Sequence, residues 1–115
     1  MNKIKGILLD GIKSEVVEIE HTVENLRELI GCSCIDITSR TIRGRRYYFV
    51  CDDLGWYKEI INPTGVYLGP CPDIAFVGKI FIVSFNGVDD ICSLSDDDIA
   101  YLNYHIKYGT IFLPV

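Results

Sequence analysis

Apolar and polar residues alternate with period two over several short stretches of the chain. Ile4-Lys5-Gly6-Ile7-Leu8-Leu9 is apolar-rich and stops at Asp10-Gly11, a turn dipeptide. From Ser14 to Glu20, Val17 and Ile19 alternate with Glu18 and Glu20, the pattern of a strand with one buried and one wet face. Two such runs around Asp10-Gly11 predict a β-hairpin with a short loop. Cys34 to Ser39 alternates again, with Ile35 and Ile37 on one side and Asp36 and Thr38 on the other. Tyr47 to Cys51 is aromatic and β-branched. The stretch between, Arg40 to Arg46, predicts a second hairpin with Gly44 near its tip.

Further on, Asp52-Asp53-Leu54-Gly55 and Asn62-Pro63-Thr64-Gly65 are turn signals, with a short strand expected from Trp56 to Ile61. Val66 to Phe76 supports no assignment, and Pro70 and Pro72 bar a central strand there. Ile80 to Phe85 is apolar almost throughout, broken only by Ser84. Such a run predicts a strand buried on both faces, hence at the centre of the sheet. Asn86-Gly87 after it is the strongest hairpin signal in the chain.

Two segments carry helical spacing instead. Thr22 is an N-cap candidate, Val23, Leu26, Leu29 and Ile30 form an apolar stripe, and Gly31 stands where a C-terminal glycine belongs. The first helix is therefore expected over about Thr22 to Ile30. Ser95 precedes Asp96-Asp97-Asp98, placing a capping hydroxyl before three acids in the positive-ended first turn. With Ile99, Leu102 and Ile106 as its buried stripe and Gly109 as its stop, the second helix is expected over about Ser95 to Tyr108. The fold class is α+β: a single domain over residues 1–115, with an antiparallel or mixed sheet of five to six strands and two helices.

Composition narrows the function classes. A chain of 115 residues is one domain's length, and its 49% hydrophobic content excludes disorder. No apolar run reaches the ~18–20 residues needed to cross a bilayer, so no membrane role is expected. The first residues lack a signal-peptide core, and an odd number of cysteines, five, argues for reduced thiols. Cytoplasmic residence is the expectation. A zinc site would want two closely spaced ligand pairs. Cys32-Ser33-Cys34 is one pair alone, and His21 and His105 lie far apart. The three-aspartate run is helix-start chemistry rather than a metal loop. No metal or other cofactor is expected. The net charge of −5 disfavours generic nucleic-acid binding, which needs Lys and Arg against phosphate.

Several loose motifs recur in one order. They include the helix of the form Thr-x-x-x-Leu-x-x-Leu-Ile-Gly at Thr22–Gly31, the turn Asp52-Asp53-Leu54-Gly55, and Asn62-Pro63. Asp73-Ile74-Ala75-Phe76-Val77-Gly78 and Asp89-Asp90-Ile91-Cys92-Ser93-Leu94-Ser95-Asp96 follow. In this order the chain resembles the DUF3846 family over about residues 3 to 106. The family's members are short proteins of phages, plasmids and their bacterial hosts. The resemblance implies a setting, a mobile-element accessory protein, and no established chemistry. Such proteins often oppose host defences, by binding a defence protein or by sequestering its nucleotide signal.

No nucleophile, base and orienting group stand in recognisable spacing, and no glycine-rich phosphate loop is present. The chain is expected not to be an enzyme. One constellation stands out. Arg40, Arg43, Arg45 and Arg46 place four of the five arginines within seven positions of an acidic protein, with Tyr47 and Tyr48 next and Trp56 soon after. Arginine forks bind carboxylate or phosphate, and arginines with aromatics make binding hot spots. The candidate binding residues are therefore Arg43, Arg45, Arg46, Tyr47, Tyr48, Trp56 and Asn62. Regular alternation would put Arg45 and Tyr47 on one face and Arg46 and Tyr48 on the other. The expected partner is a host protein; the alternatives are a small nucleotide ligand held by the arginines, or a role as a DNA-associated regulator. Self-association is left open.

Overall fold

The computed structural model describes residues 3–10, 13–42, 44–52, 63–67, 72–77, 79–85, 91–105 and 107–110. For residues 13, 63–67, 72–77 and 107–110 it describes the backbone alone. The elements in chain order are β1 (Lys3–Asp10), β2 (Lys13–Glu20), α1 (Val23–Ile30), β3 (Ile35–Ile42), β4 (Arg45–Asp52) and β5 (Pro63–Tyr67). β6 (Pro72–Val77), β7 (Ile80–Phe85), β8 (Ile91–Cys92), α2 (Asp96–His105) and β9 (Lys107–Thr110) complete the order.

Six strands form the main sheet in the order β2-β1-β7-β4-β3, with β8 also paired to β7. Every pairing is antiparallel, and the fold is α+β as its pattern predicts. β7 holds the centre, as its unbroken apolar run requires. Ile80, Phe81, Ile82 and Val83 are all fully buried. The period of two divides the core into two layers. Ile7, Leu9, Tyr47, Phe49, Cys51, Ile80 and Ile82 pack under α2 with Ile42, Leu94 and Leu102. Ile4, Leu8, Val50, Phe81 and Val83 pack under α1 with Leu26, Ile30 and Ile91. One helix thus covers each face.

Gly6 lets β1 lie against β7. A Cβ built there would collide with the Ile82 carbonyl oxygen and stand 2.8 Å from Val83 Cγ1 and 2.9 Å from Phe81 Cε1. Beyond this approach, residues that follow β8 bond to β1. Lys5 N donates to Ser93 Oγ at 2.9 Å and Leu94 N to the Lys5 carbonyl at 2.8 Å.

Both hairpins near the N-terminus form where the turn chemistry places them. Asp10 pairs with Lys13 across residues 11 and 12, and Ile42 pairs with Arg45 across residues 43 and 44. Gly44 has φ +95°, a conformation that glycine adopts without strain. The second hairpin is tighter than expected. Its strands run to Ile42 and from Arg45, so Arg40, Arg45 and Arg46 are strand residues rather than loop residues.

α1 starts at the Thr22 cap, whose hydroxyl accepts from Asn25 N at 3.1 Å, and ends at left-handed Gly31. α2 starts at Ser95, whose Oγ accepts from Asp98 N at 3.0 Å and donates back to Asp98 Oδ2 at 3.1 Å. Its end differs from expectation. The helix stops at His105, and Lys107–Thr110 is a strand. Lys107 and Gly109 suit a helix end, but pairing of β9 with β5 takes the segment. β5 is the middle strand of a second sheet, β6-β5-β9; it takes Pro63-Thr64-Gly65, expected as a turn, into the strand because pairing on both sides holds them extended, while the end of β5 and most of β6 fill the stretch that supports no assignment by pattern. The prolines fit their places there: Pro63 opens β5, and Pro72 opens β6, an edge strand. The strand expected from Trp56 to Ile61 and the Asn86-Gly87 turn lie outside the described residues. β7 and β8 do pair antiparallel, with Phe85 opposite Ile91.

Candidate functional site

The arginine-tyrosine hairpin is divided by the sheet itself. Arg45 and Tyr47 stand on the α2 face, Arg46 and Tyr48 on the α1 face, following the alternation along β4. The two halves have different surroundings.

On the α2 face, Arg45 and Tyr47 hold the start of α2. Arg45 Nη1 donates to Asp97 Oδ2 at 3.0 Å and to Asp98 Oδ1 at 3.2 Å. Its guanidinium lies 3.9 Å from the centre of the Tyr101 ring, a cation–π arrangement. Tyr47 is buried, and its hydroxyl donates to Asp98 Oδ1 at 2.9 Å. Burial foremost, then the hydrogen bond to Asp98, pushes the Tyr47 phenol up to about 12; Arg45 opposes the shift. The hydrogen bond to Asp97 raises the Arg45 pKa further above its ordinary value. Tyr101 reaches across to donate to the Ile42 carbonyl at 3.3 Å. Lys5 Nζ lies 3.3 Å from Asp96 Oδ1. Each acid of the three-aspartate run therefore meets a group on β1 or β4, and the run joins the helix start to the sheet.

On the α1 face the sheet is only partly covered. α1 packs against β4 and β3, yet side chains between the helix and β3 stay open. The result is a groove of about 420 Å³ lined by His21, Val23, Leu26, Ile35, Ile37, Tyr48 and Ile91. Val23 is 49% exposed and Ile37 43%. Both were expected to face the core. The Tyr48 ring packs at 5.3 Å from Phe85, and exposed Arg46 stands two residues before Tyr48 on the same face of β4.

Arg46 and Tyr48 thus adjoin or line the groove, Arg45 and Tyr47 brace α2, and Arg43, Trp56 and Asn62 lie outside the described residues. His21, Val23, Leu26, Ile35, Ile37 and Ile91 are the groove residues that the sequence reading did not collect. A second concavity, between β2 and α1, is lined by Glu15, Glu20, Glu28, Lys79 and apolar neighbours. Among the described residues, neither concavity is lined by arginine. Cys32 Sγ donates to the Cys34 carbonyl at 3.2 Å, and Cys51 is buried in the core.

Fold and site together define a small α+β protein that leaves part of one sheet face open beside a short helix. The chain belongs to the family described as a domain of unknown function, DUF3846, which it matches over residues 4–109. No curated protein and no solved structure matches it. No helix among the described residues is long and apolar enough to cross a membrane.

Proposed function

We propose that this chain is a non-enzymatic binding protein of a phage or mobile element that engages a host defence protein through the α1-face groove. The observation that carries the reading is the groove itself. Exposed Val23 and Ile37 meet there with Ile35, Leu26 and Tyr48. Apolar side chains gathered in one open groove, with an aromatic inside and a charged residue at the margin, are the anatomy of a protein-docking surface. Arg46 supplies that charge and can take a partner carboxylate in paired hydrogen bonds. A nucleotide site would need cations converging on a concavity, and among the described residues neither arginine nor lysine lines the α1-face groove. The host-defence part of the proposal comes from the setting that the family resemblance implies.

The test is affinity capture from a lysate of the host bacterium, with bound proteins and heat-released small molecules identified together. A stoichiometric host protein is the expected result. A released nucleotide with no protein would replace this reading with sequestration of a signal.

A further inference from the structure

We propose that β3 is a self-association edge, across which a second copy of this chain pairs antiparallel with Thr38 on the two-fold axis. β3 ends the main sheet, and among the described residues no strand pairs with its outer side. It is eight residues long, Ile-Asp-Ile-Thr-Ser-Arg-Thr-Ile, without proline or lysine. Its edge charges, Asp36 and Arg40, are of opposite sign, so they repel an unrelated strand less than they can complement a second copy of β3. Which backbone groups point outward follows from the hairpin. Ile42 and Arg45 close a two-residue loop, and a closing pair of this kind exchanges both backbone bonds. Residues 36, 38, 40 and 42 therefore bond inward to β4, and residues 35, 37, 39 and 41 direct their N–H and C=O outward. In the single chain the Arg40 guanidinium donates to the outward Ser39 carbonyl at 2.8 Å, and Asp36 Oδ2 accepts from Thr38 Oγ1 at 2.9 Å; strand pairing exchanges the first contact for the Ile37 N–H of the second copy and turns the guanidinium to that copy's Asp36.

Charge selects the register. A second β3 must oppose outward residues with outward residues. With Ile37 opposite the second copy's Ser39, Asp36 falls directly opposite its Arg40, and Arg40 opposite its Asp36. Both residues are exposed, and both belong to non-hydrogen-bonded pairs, where side chains approach most closely. A shift by one allowed step sets Asp36 or Arg40 against Thr38 and forms no ion pair. A shift by two sets Asp36 against Asp36 or Arg40 against Arg40. One register alone is doubly complementary. The other edge, β2, carries exposed Glu15, Glu18 and Glu20, so a second copy there would meet like charges. Pairing through β3 also places the two α1-face grooves side by side on one continuous sheet.

The experiment is sedimentation velocity of the full chain over a wide concentration range. Its companions are Asp36→Arg, Arg40→Asp and the double exchange, with far-UV circular dichroism as the check on folding. The wild type is expected to form a species of two chains. Each single change should weaken association about 10- to 100-fold, and the double exchange should restore it. Thr38→Cys should give a disulfide-linked dimer on oxidation, because directly opposed Cα atoms lie within bridging range. Ser39→Cys should not exceed the wild-type background. A chain that stays monomeric throughout overturns the proposal. So does a dimer indifferent to both single changes, or cross-linking at Ser39→Cys instead of Thr38→Cys. None of these variants replaces a groove-lining residue, so failure of this edge and failure of the partner-binding reading are separately visible.

Discussion

Replacing Tyr47 with Phe removes one oxygen from a buried site and leaves the ring in place. In the wild type that oxygen donates to Asp98 Oδ1 at 2.9 Å. A hydrogen bond to a charged group contributes about 1.5–3 kcal/mol. Asp98 keeps its bonds from Ser95 and Arg45, so the lower end applies, about 1.5 kcal/mol. For a chain of this length 1 kcal/mol corresponds to about 4 °C in melting temperature, so Tyr47→Phe should melt about 6 °C lower at pH 8. The gap should also depend on pH. The Tyr47 phenol is raised from 10.0 in the unfolded chain to about 12 in the folded one. Its contribution is therefore complete below pH 10 and is lost as pH rises through about 12. At pH 11 linkage removes at most about 1.4 kcal/mol, and screening at the solvent-facing side of the cluster lowers this to about 0.5–1.4 kcal/mol. The difference between wild type and variant should then narrow by about 2–6 °C. Thermal melts followed by circular dichroism at the two pH values measure it, and ionisations common to both chains cancel. A variant as stable as wild type at pH 8, or a gap that widens at pH 11, would refute the bracing role of this pair.

Other substitutions probe the same architecture. Gly6→Ala forces β1 away from the Ile82 carbonyl and Val83; overpacking of this kind costs about 1–3 kcal/mol, read as a lower urea midpoint with an unchanged slope. Leu102 is the fully buried residue on the inner face of α2, so Leu102→Ala should lose about 2–5 kcal/mol in the same assay. Val23→Glu should leave stability within about 0.5 kcal/mol. The side chain is half exposed at the first position of α1, where an acid suits the helix dipole.

Much of the main sheet is legible in the sequence because its signals are local. Ile80 to Phe85 is apolar on both alternating sets, and only a central strand buries both. Thr22, Gly31 and Ser95 mark helix ends through bonds made within four or five residues. The remainder depends on contacts distant in the chain. Lys107 to Thr110 satisfies helix-end chemistry equally well, and only the presence of β5 decides for a strand. Arg45 stands in a cationic cluster that reads as a binding surface, yet its partners Asp97 and Asp98 lie more than fifty residues later. Composition registers the cluster without registering which half a helix will cover. The groove was missed for a geometric reason. Periodicity tells which face Val23 and Ile37 occupy, but how tightly α1 closes onto β3 decides whether that face is covered, and no local pattern encodes that.

The proposed function puts the protein partner on the α1 face and leaves the α2 face of the same hairpin a structural role. Quantitative capture of the host partner by wild type, Val23→Glu and Tyr47→Phe, each shown to be folded, tests it most directly. Tyr47→Phe should retain the partner as wild type does. Val23→Glu should lose at least about 30-fold in affinity, the effect of a hot-spot residue worth 2 kcal/mol or more. Equal capture by Val23→Glu, or loss confined to folded Tyr47→Phe, would contradict it.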